Sequence, residues 1–321
     1  MKAHGFIIIT IFIIGLSLMS SCAHKEPPVE SALTPEVQPT IQPELPPLLG
    51  KELVNDDHAR GFIEELLVSK GIDRDRAHAM VTDPRVVFDE KFIEKNLNFV
   101  RPKASSKSPG CMEYDKKYII KGKAFIEENQ DLFDVVQERF GISPEIIAAI
   151  LIIETRIGTY PQKYYAFNVY ANISLLSDPD IIAQMKDFTG VDDIPLKDEE
   201  GVKKTLARGR WAGGELYNLI LLADALELDP QEIKGSAGGA LGPAQFIPST
   251  FMKWGADGDD DGVRNPFSMQ DATASIANLL TKSGWRENGD EKKNRSAIWL
   301  YNHSDVYVNT IMKLYAELSK T

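Results

Sequence analysis

The sequence has few residues suited to thiol, disulfide or metal–thiolate chemistry. Its 321 residues include only two cysteines, Cys22 and Cys111, and five histidines. Two cysteines are too few for a disulfide framework, and no closely spaced set of Cys and His indicates a zinc site. The histidines lie mostly in the N-terminal part of the chain, with His303 as the exception. A catalytic centre built on histidine is therefore not expected.

An excess of basic residues is also absent. The chain has 36 Lys and Arg against 47 Asp and Glu, which gives a formal net charge of −11. A protein that binds nucleic acid needs a basic footprint, so nucleic acid is excluded as a partner. The hydrophobic fraction of 43% and the charged fraction of 26% are typical of a globular protein. The length allows one large domain or two smaller ones.

The N-terminus lacks an apolar run long enough for a stable transmembrane helix. The run from Phe6 to Met19 has 14 residues, whereas a helix needs ~20 to span a bilayer. A short apolar run after a basic start fits the core of a signal peptide. The following Met19-Ser20-Ser21-Cys22 resembles a bacterial lipobox, with Met where Leu is more usual. We expect residues 1–21 to be a lipoprotein signal peptide and Cys22 to carry lipid; the alternative is an uncleaved signal anchor.

Residues 22–50 are predicted to be a lipidated cysteine followed by a linker. Seven prolines lie between Pro27 and Pro47. A polyproline-type spacer extends ~3.1 Å per residue, so some 25 residues reach roughly 75 Å. Ala23 follows Cys22, and the absence of Asp there resembles outer-membrane sorting in enteric bacteria. We therefore expect a protein anchored by lipid at the periplasmic face of the envelope, at the outer membrane.

Residues 51–321 are predicted to be one mainly helical region. Apolar residues recur at helical spacing, and this predicts helices over 62–67, 125–140, 216–226, 276–280 and 298–318. Convincing strand patterns are scarce, and Val86-Val87-Phe88 is the best short candidate. Residues 177–201 are acidic and contain two prolines, so we predict a surface loop there. The fold class is therefore all-α with minor short strands.

A glutamate stands at the end of an apolar helix. Ser143 and Pro144 are suited to the start of this helix, and residues 146–153 are apolar all round, which indicates burial. Glu154 follows directly, and Gly158 is expected to end the helix. Burial raises the pKa of a carboxyl, and a carboxyl protonated near neutral pH can act as a general acid. The alternative is a structural ion pair between Glu154 and Arg156.

A glycine-rich segment, residues 235–251, is the second candidate site. Its glycines allow the backbone to approach a ligand closely. Gln245 offers a donor and an acceptor for hydroxyl and acetamido groups, and Phe246 could offer an apolar face to a sugar ring. A phosphate loop is not indicated, because no Gly-Lys-Ser/Thr follows. The alternative is a tight helix–helix junction.

An acidic loop has the spacing of an EF-hand. Oxygen ligands stand at loop positions 1, 3, 5 and 9, Gly262 stands at position 6, and a backbone carbonyl would serve at position 7. Position 12 is Ser268 and not the usual Glu, and Asp271 is expected to cap the following helix. The predicted metal site consists of Asp257, Asp259, Asp261, Val263 and Asn265. Calcium in a structural role is expected; sodium or an empty acidic turn is the alternative.

Three ordered motifs together resemble one known family. They are Glu154-Thr155-Arg156-x-Gly158, the segment from Gly235-Ser236 through Gln245-Phe246-x-Pro248-Ser249, and Tyr301-Asn302-His303-Ser304-x-x-Tyr307. They look like membrane-bound lytic transglycosylase B and its relatives, glycoside hydrolase family 103, over roughly residues 56–318. The resemblance departs from the family pattern after Gly158 and in the 178–201 segment. Arg208, Arg210 and Trp211 remain weak candidates for contact with the substrate.

The resemblance implies a lysozyme-like fold and a peptidoglycan substrate. Members of the family cleave the β-1,4 bond between N-acetylmuramic acid and N-acetylglucosamine and leave a 1,6-anhydromuramyl end. They use one carboxyl, which matches Glu154, and no cofactor for catalysis. The matching glycan-groove residues would be Ser236, Gln245, Phe246, Tyr301 and Tyr307. We expect a monomeric enzyme whose partners are glycan strands and, through Cys22, the membrane.

Two other functions remain open at this point. One is a hydrolytic muramidase on the same scaffold, which would add water instead of forming the anhydro ring. The other is a lipoprotein that binds peptidoglycan without cleaving it. The complete motif around Glu154 argues against the second.

Overall fold

The computed structural model describes residues 56–98, 110–188, 196 and 198–320. All of them belong to one unit, Lys51–Thr321. The predicted signal peptide, Cys22 and the linker lie outside the described residues. The order of the elements along the chain is α1 (Asp56–Ser69), α2 (Arg74–Thr82), α3 (Glu90–Asn98), α4 (Lys117–Glu128), α5 (Gln130–Phe140), α6 (Pro144–Thr155), β1 (Tyr164–Tyr165), α7 (Ala166–Ser174), a 3-10 turn (Leu175–Ser177), α8 (Pro179–Phe188), α9 (Glu199–Ala225), β2 (Lys234–Gly235), α10 (Pro248–Trp254), α11 (Met269–Lys282), α12 (Glu291–Tyr301) and α13 (Asp305–Leu318).

Helix α6 lies in the core. Pro144 stands in its first turn, where a missing amide hydrogen costs nothing. Every residue from Ile146 to Ile152 is buried, and α4, α11 and α13 pack against the helix. Ser143 occupies the position before the helix but makes no capping hydrogen bond. Because the helix is apolar all round, its burial fixes the position of whatever stands at its C-terminal end.

Strand structure is minimal in the described part of the chain, as the mainly helical prediction requires. Strands β1 and β2 pair antiparallel, with Tyr164 opposite Gly235 and Tyr165 opposite Lys234. The candidate strand at 86–88 does not form, because the structure has neither a strand nor a helix at these residues. Side chains take its carbonyls instead: Arg60 donates to Val86 at 3.0 Å and Asn172 donates to Val87 at 2.8 Å.

Two of the predicted helices are each divided into two helices by a break at polar residues. The 125–140 helix breaks at Asn129, whose side-chain amide donates to the Phe125 carbonyl at 2.8 Å and ends α4. Gly141 then ends α5 in the left-handed conformation, as expected of a C-terminal glycine. The 298–318 helix breaks at residues 302–304, where Ser304 caps α13. Apolar periodicity continues across both breaks, so periodicity alone could not locate them.

The surface loop predicted for 177–201 is wrong over residues 179–188 and 199–201, which are helical, whereas residues 189–195 and 197 lie outside the described residues. Helix α8 occupies Pro179–Phe188, and α9 begins at Glu199. Asp178 starts α8, because its Oδ1 accepts from the Asp180 amide at 2.8 Å. Ile181 and Ile182 are buried. An acidic start and two buried isoleucines therefore make a helix in a segment whose overall composition is typical of a loop.

In the described part of the chain, the longest helix is not apolar and the most apolar helix is not long. Helix α9 has 27 residues but carries charges along its length, whereas α6 is apolar and has 12 residues. Among the described residues, none of the helices meets both requirements for crossing a bilayer.

Candidate active site

Glu154 stands at the C-terminal end of α6, in contact with helix α13. The Tyr307 hydroxyl donates to Glu154 Oε1 at 2.6 Å. Burial raises the pKa of Glu154 to about 7, and the hydrogen bond from Tyr307 opposes this rise. The residue nevertheless keeps some exposed surface. Glu154 is thus partly protonated at neutral pH and still open to a ligand.

The structure does not support the alternative interpretation, in which Glu154 forms an ion pair with Arg156. Arg156 lies over the rings of Tyr118 and Tyr160, at 5.7 and 5.5 Å from their centroids. No ion pair joins Arg156 to Glu154 in the described part of the chain. Among the described residues, no neighbouring cation therefore opposes the rise in the pKa of Glu154 that burial causes.

Two tyrosines from the third motif form one wall beside Glu154. The rings of Tyr301 and Tyr307 are stacked, with centroids 6.3 Å apart and planes within 6° of parallel. The Tyr301 hydroxyl donates to the Ala244 carbonyl in the glycine-rich segment. Both tyrosines face Glu154, and burial keeps their own pKa values well above 10. They are neutral donors at any physiological pH.

The chain turns sharply after Glu154 and joins the second motif there. Helix α6 ends at Thr155, earlier than expected from Gly158, and Arg156, Ile157 and Gly158 all have positive φ. Thr155 Oγ1 donates to the Pro243 carbonyl at 2.7 Å and accepts from the Gly158 amide at 2.8 Å. Left-handed residues other than glycine cost ~1–2 kcal/mol each. The turn is held in place by these bonds and places Glu154 beside the glycine-rich segment.

Ser236 and Gln245 organise the glycine-rich segment. Ser236 Oγ accepts from the amides of Ala240 at 3.1 Å and Gly238 at 3.3 Å. Gln245 has a φ of 52°, and its side-chain nitrogen donates to the Gly242 carbonyl at 2.9 Å and to Gln162 Oε1 at 3.1 Å. Both residues remain partly exposed. They are available to a ligand, and they also hold the shape of the loop.

Phe246 does not present a face to a ligand, which corrects the expectation from the sequence. Its side chain is 3% exposed. The ring packs against Tyr301 at 5.3 Å and against Phe251 at 6.1 Å. Phe246 therefore supports Tyr301 from behind. Tyr307 is also 3% exposed, so its contribution to a site is its hydroxyl on Glu154.

Glu215, which could not be identified as a site residue from the sequence, lies buried in the middle of α9. Its carboxylate accepts from the Ser249 amide at 2.9 Å and from the Ser249 hydroxyl at 2.6 Å. Burial raises the pKa of Glu215. The bonds tie α9 to the start of α10, directly after Gln245 and Phe246. In the sequence, one glutamate in an amphipathic helix gives no sign that it is buried.

The weak candidates Arg208 and Trp211 also lie behind the loop. The Arg208 guanidinium lies 4.7 Å from the centroid of the Trp211 ring, and Trp211 meets Tyr170 edge-on at 6.0 Å. The Tyr170 hydroxyl donates to the Gly239 carbonyl at 2.8 Å. This group therefore braces the glycine-rich segment, whereas Arg210 is exposed.

The acidic loop brings together part of the predicted metal site and one further carboxylate. Oxygens of Asp257, Asp259 and Asp271 all lie within 4.8 Å of one another. Asp261 is not in this group, and its Oδ1 accepts from the Val263 amide at 2.7 Å. Asn265 Oδ1 accepts from the Phe267 amide at 3.0 Å.

Asp271 closes the acidic loop and does not cap α11, contrary to expectation. Ser268 is the cap, and the Asp271 carboxylate accepts from the amides of Gly258 at 2.7 Å and Asn265 at 2.6 Å. Burial raises the pKa of Asp271, and the charges of Asp259 and Asp257 raise it further. Asp257 Oδ1 is buried and has no hydrogen-bond partner. A buried carboxylate oxygen without a hydrogen-bond donor is suited to bind a cation.

Removing the Tyr307 hydroxyl should raise the pKa of Glu154. In Tyr307→Phe the burial of Glu154 remains while the bond that stabilises its charged form is lost. An NMR titration of ¹³C-labelled glutamate, with Glu154→Gln to assign the signal, measures this directly. Tyr301→Phe is the matched control, because the Tyr301 hydroxyl bonds to Ala244. A pKa in Tyr307→Phe equal to or below that of the unmodified protein would contradict the assigned bond.

Comparison with known proteins gives one consistent family. The model of the transglycosylase SLT domain matches residues 55–293. Membrane-bound lytic murein transglycosylase B of Escherichia coli K12 is 25% identical over 283 residues, which are 84% of this chain and 70% of that protein.

Solved structures share the fold at lower identity. The E. coli lytic transglycosylase Slt35 in complex with calcium superposes with a TM-score of 0.63 at 19% identity, covering 84% of this chain and 95% of that one. SltB3 of Pseudomonas aeruginosa in complex with NAG-NAM-pentapeptide superposes with a TM-score of 0.62 at 17% identity, covering 83% and 80%. The predicted lysozyme-like, mainly helical transglycosylase fold is thereby confirmed.

Proposed function

Because the chain belongs to the transglycosylase SLT domain family, we propose that it is a peptidoglycan lytic transglycosylase with Glu154 as its single acid and base. Its substrate is the β-1,4 bond between N-acetylmuramic acid and N-acetylglucosamine, and its product ends in 1,6-anhydro-N-acetylmuramic acid. The observation that carries the proposal is the carboxyl of Glu154, which has a pKa of about 7 and is oriented by Tyr307.

Glu154 serves the two steps in turn. With Oε1 engaged by Tyr307, Oε2 carries the proton to the oxygen that leaves as the bond breaks. The carboxylate that results then takes the proton of the muramyl 6-hydroxyl, whose oxygen closes the anhydro ring. A pKa near the working pH suits a group that must both give and accept a proton. The hydrogen bond from Tyr307 favours the carboxylate needed in the second step.

A single carboxyl is consistent with ring closure by the substrate itself. Glycosidases with two carboxylates hold them ~5–9.5 Å apart, and a second buried charge at that distance would raise the pKa of Glu154. Burial and the hydrogen bond from Tyr307 account for the shift of the Glu154 pKa. Ring closure by the muramyl 6-hydroxyl needs no second carboxylate, and the match to the transglycosylase SLT domain favours the transglycosylase over the alternative hydrolytic muramidase.

The residues of the proposed site have two roles: some contact the glycan, and others hold the site in shape. Ser236 and Gln245 are partly exposed and are proposed to contact the glycan. Tyr301 and Tyr307 form the wall beside Glu154, and Phe246 supports that wall. The SltB3 neighbour is recorded in complex with NAG-NAM-pentapeptide, which supports a glycan carrying a stem peptide as the substrate class.

A zymogram separates this enzyme from a protein that only binds peptidoglycan. Purified residues 50–321 should clear a gel that contains murein. The Glu154→Gln protein should bind murein and leave the gel opaque. A wild-type protein that binds murein without clearing it would favour the non-catalytic alternative.

We also propose that the acidic loop holds a structural calcium ion and that catalysis needs no cofactor. Asp257, Asp259 and Asp271 would supply the close carboxylates, with Asp261, the Val263 carbonyl and Asn265 completing the loop. The buried Asp257 Oδ1 without a partner and the mutual repulsion of three carboxylates fit a divalent cation. The Slt35 neighbour is recorded in complex with calcium. The ion would brace the loop between α10 and α11.

Calcium should raise the melting temperature, and chelation should reverse the rise. A ligand at 100 times its Kd stabilises a protein by ~2.7 kcal/mol, which is several degrees for a domain of this size. Asp257→Asn should abolish the effect. Asp260→Asn is the matched control, because Asp260 is exposed and outside the carboxylate group. Scanning fluorimetry with calcium and with EDTA tests this, and equal melting temperatures in the two conditions would reject the site.

The remaining proposals concern the location of the protein. We propose that Cys22 is lipidated after removal of residues 1–21 and anchors a monomer at the periplasmic face of the outer membrane. The name of the E. coli relative, a membrane-bound transglycosylase, supports association with the envelope. The linker of residues 22–50 would let the catalytic region work away from the lipid surface.

Blocking the lipoprotein signal peptidase should leave the precursor uncleaved. Globomycin treatment of expressing cells should make a larger, membrane-bound form accumulate, visible by immunoblot. Cys22→Ala, which removes the acceptor of the lipid, should make processing insensitive to globomycin. A wild-type pattern unchanged by globomycin would instead favour the uncleaved signal anchor.

A further inference from the structure

A cavity outside the catalytic site lies on the α12–α13 pair. It has a volume of about 520 Å³, within the range of ~300–1,000 Å³ common for ligand sites. Its lining includes Asp290, Arg295, Ser296, Trp299, Asp305 and Val308. None of these residues takes part in the glycan groove proposed above.

Helix geometry separates this cavity from Glu154. Trp299 and Tyr301 are two residues apart on α12, so their side chains point ~200° apart around the helix axis. Tyr301 faces Glu154 and the glycine-rich segment. Trp299 therefore faces away from the catalytic groove. The α12–α13 pair therefore places Tyr301 and Tyr307 beside Glu154, and it places Trp299 at a separate cavity.

The chemistry of the lining fits a sugar. Trp299 is 42% exposed, and its ring is held by edge-on contact with His303 at 4.1 Å. An exposed indole offers a flat apolar surface with one polar edge. Beside it, the Arg295 guanidinium donates to Asn309 and pairs with Glu291 at 3.8 Å, and the Ser296 hydroxyl donates to the Lys292 carbonyl at 2.9 Å. The other N–H groups of Arg295, the lone pairs of the Ser296 oxygen and the Asp305 carboxylate remain as donors and acceptors for ring hydroxyls and acetamido groups.

The charge of the cavity argues against an anionic lipid surface. Its lining has three carboxylates, from Asp290, Glu291 and Asp305, and two cations, from Lys292 and Arg295. Binding to anionic lipid needs a cluster of basic residues. A nearly balanced set of charges around an aromatic ring suits a ligand that is mainly hydroxyls and amides.

We propose that this cavity is a second glycan-binding site, which holds another stretch of peptidoglycan while Glu154 acts on the bond to be cleaved. The inference rests on the proposed function for its ligand class. Attachment at two points raises the affinity for a polymer by effective concentration. A short fragment cannot reach both sites and gains nothing. The cavity should therefore affect binding to sacculi and not turnover of short soluble glycans.

The test measures binding with the catalytic step removed. Cosedimentation with sacculi compares Glu154→Gln with the same protein carrying Trp299→Ala or Leu300→Ala. Trp299→Ala should weaken binding by about tenfold or more, since avidity from a second site is commonly larger than that. Leu300 is the matched control: it is the next residue on α12, is 53% exposed and does not line the cavity. Equal affinities for the Trp299→Ala and Leu300→Ala proteins would overturn the proposal.

Three further measurements keep the outcome independent of folding and of the proposed function. Ser296→Gln fills the cavity from an exposed helical position and should reproduce the loss of binding. Chitotetraose, a sugar without peptide, should shift the Trp299 indole NMR signal; a shift with a stem tripeptide and none with the sugar would reject a glycan ligand. With Glu154 intact, Trp299→Ala should cleave a soluble tetrasaccharide as the wild type does. A wild type that fails to cleave would defeat the proposed function and leave the binding comparison readable.

Discussion

Glu154→Gln is expected to lower the turnover of peptidoglycan by at least ~10²–10⁴-fold, the usual contribution of a general acid or base. Glutamine keeps the shape of the side chain and can still accept from the Tyr307 hydroxyl. It cannot give a proton to the leaving oxygen or take one from the muramyl 6-hydroxyl. Release of soluble muropeptides from sacculi measures the loss. The matched control is Glu145→Gln, at the opposite end of α6, which should remain active.

The loss should not come from unfolding. The pKa of Glu154 in the folded protein is about 7, above the ordinary glutamate value of 4.5, so the folded state binds this proton more tightly than the unfolded state. The wild type therefore loses stability as the pH rises from about 4.5 to about 7, and the loss is complete above that range. Glu154→Gln has no such loss of stability, and at pH 8 it should be at least as stable as the wild type. A Glu154→Gln protein that is folded and nearly as active as the wild type would exclude Glu154 as the acid.

Gly242→Ala is expected to cost about 2–5 kcal/mol of folding free energy, because overpacking and left-handed backbone strain add at one position. A Cβ at Gly242 would lie 1.8 Å from the Pro266 carbonyl oxygen, and the residue has a φ of +63°. The Gly242 carbonyl also accepts from the Gln245 side chain at 2.9 Å. The variant should therefore lose both stability and the shape of the loop beside Glu154. Denaturant unfolding followed by circular dichroism measures the stability.

Gly141→Ala separates the clash from the strain. Gly141 has a φ of +67°, nearly that of Gly242, and nothing lies within 4 Å of an added Cβ. Its substitution should cost only the strain of ~1–2 kcal/mol. If both variants lose the same free energy, the close packing of Gly242 against Pro266 does not matter for stability.

The burial of Glu154 could be predicted from the sequence because its signal is local. A carboxyl directly after eight apolar residues is unusual, and a buried helix follows from the apolar pattern itself. The three motifs also contact one another in the structure. Thr155 bonds to Pro243, Tyr301 to Ala244 and Tyr307 to Glu154.

What could not be predicted depends on contacts between distant segments. Glu215 and Ser249 are 34 residues apart, and nothing near Glu215 in the sequence shows that its carboxylate is buried. The aromatic ring of Phe246 is of a kind that can stack on a sugar, but the Tyr301 ring covers it. Asp271 lies in the first turn of α11, but its carboxylate accepts from the amides of Gly258 and Asn265. In each case a long-range partner decides the role of the side chain.

The products of digested sacculi distinguish a lytic transglycosylase from a hydrolase. Mass spectrometry of muropeptides released by residues 50–321 should find ends one water lighter than reducing ends, as 1,6-anhydro-N-acetylmuramic acid requires, and Glu154→Gln should release none. Release of reducing ends alone would contradict the account and assign the protein to hydrolytic muramidases.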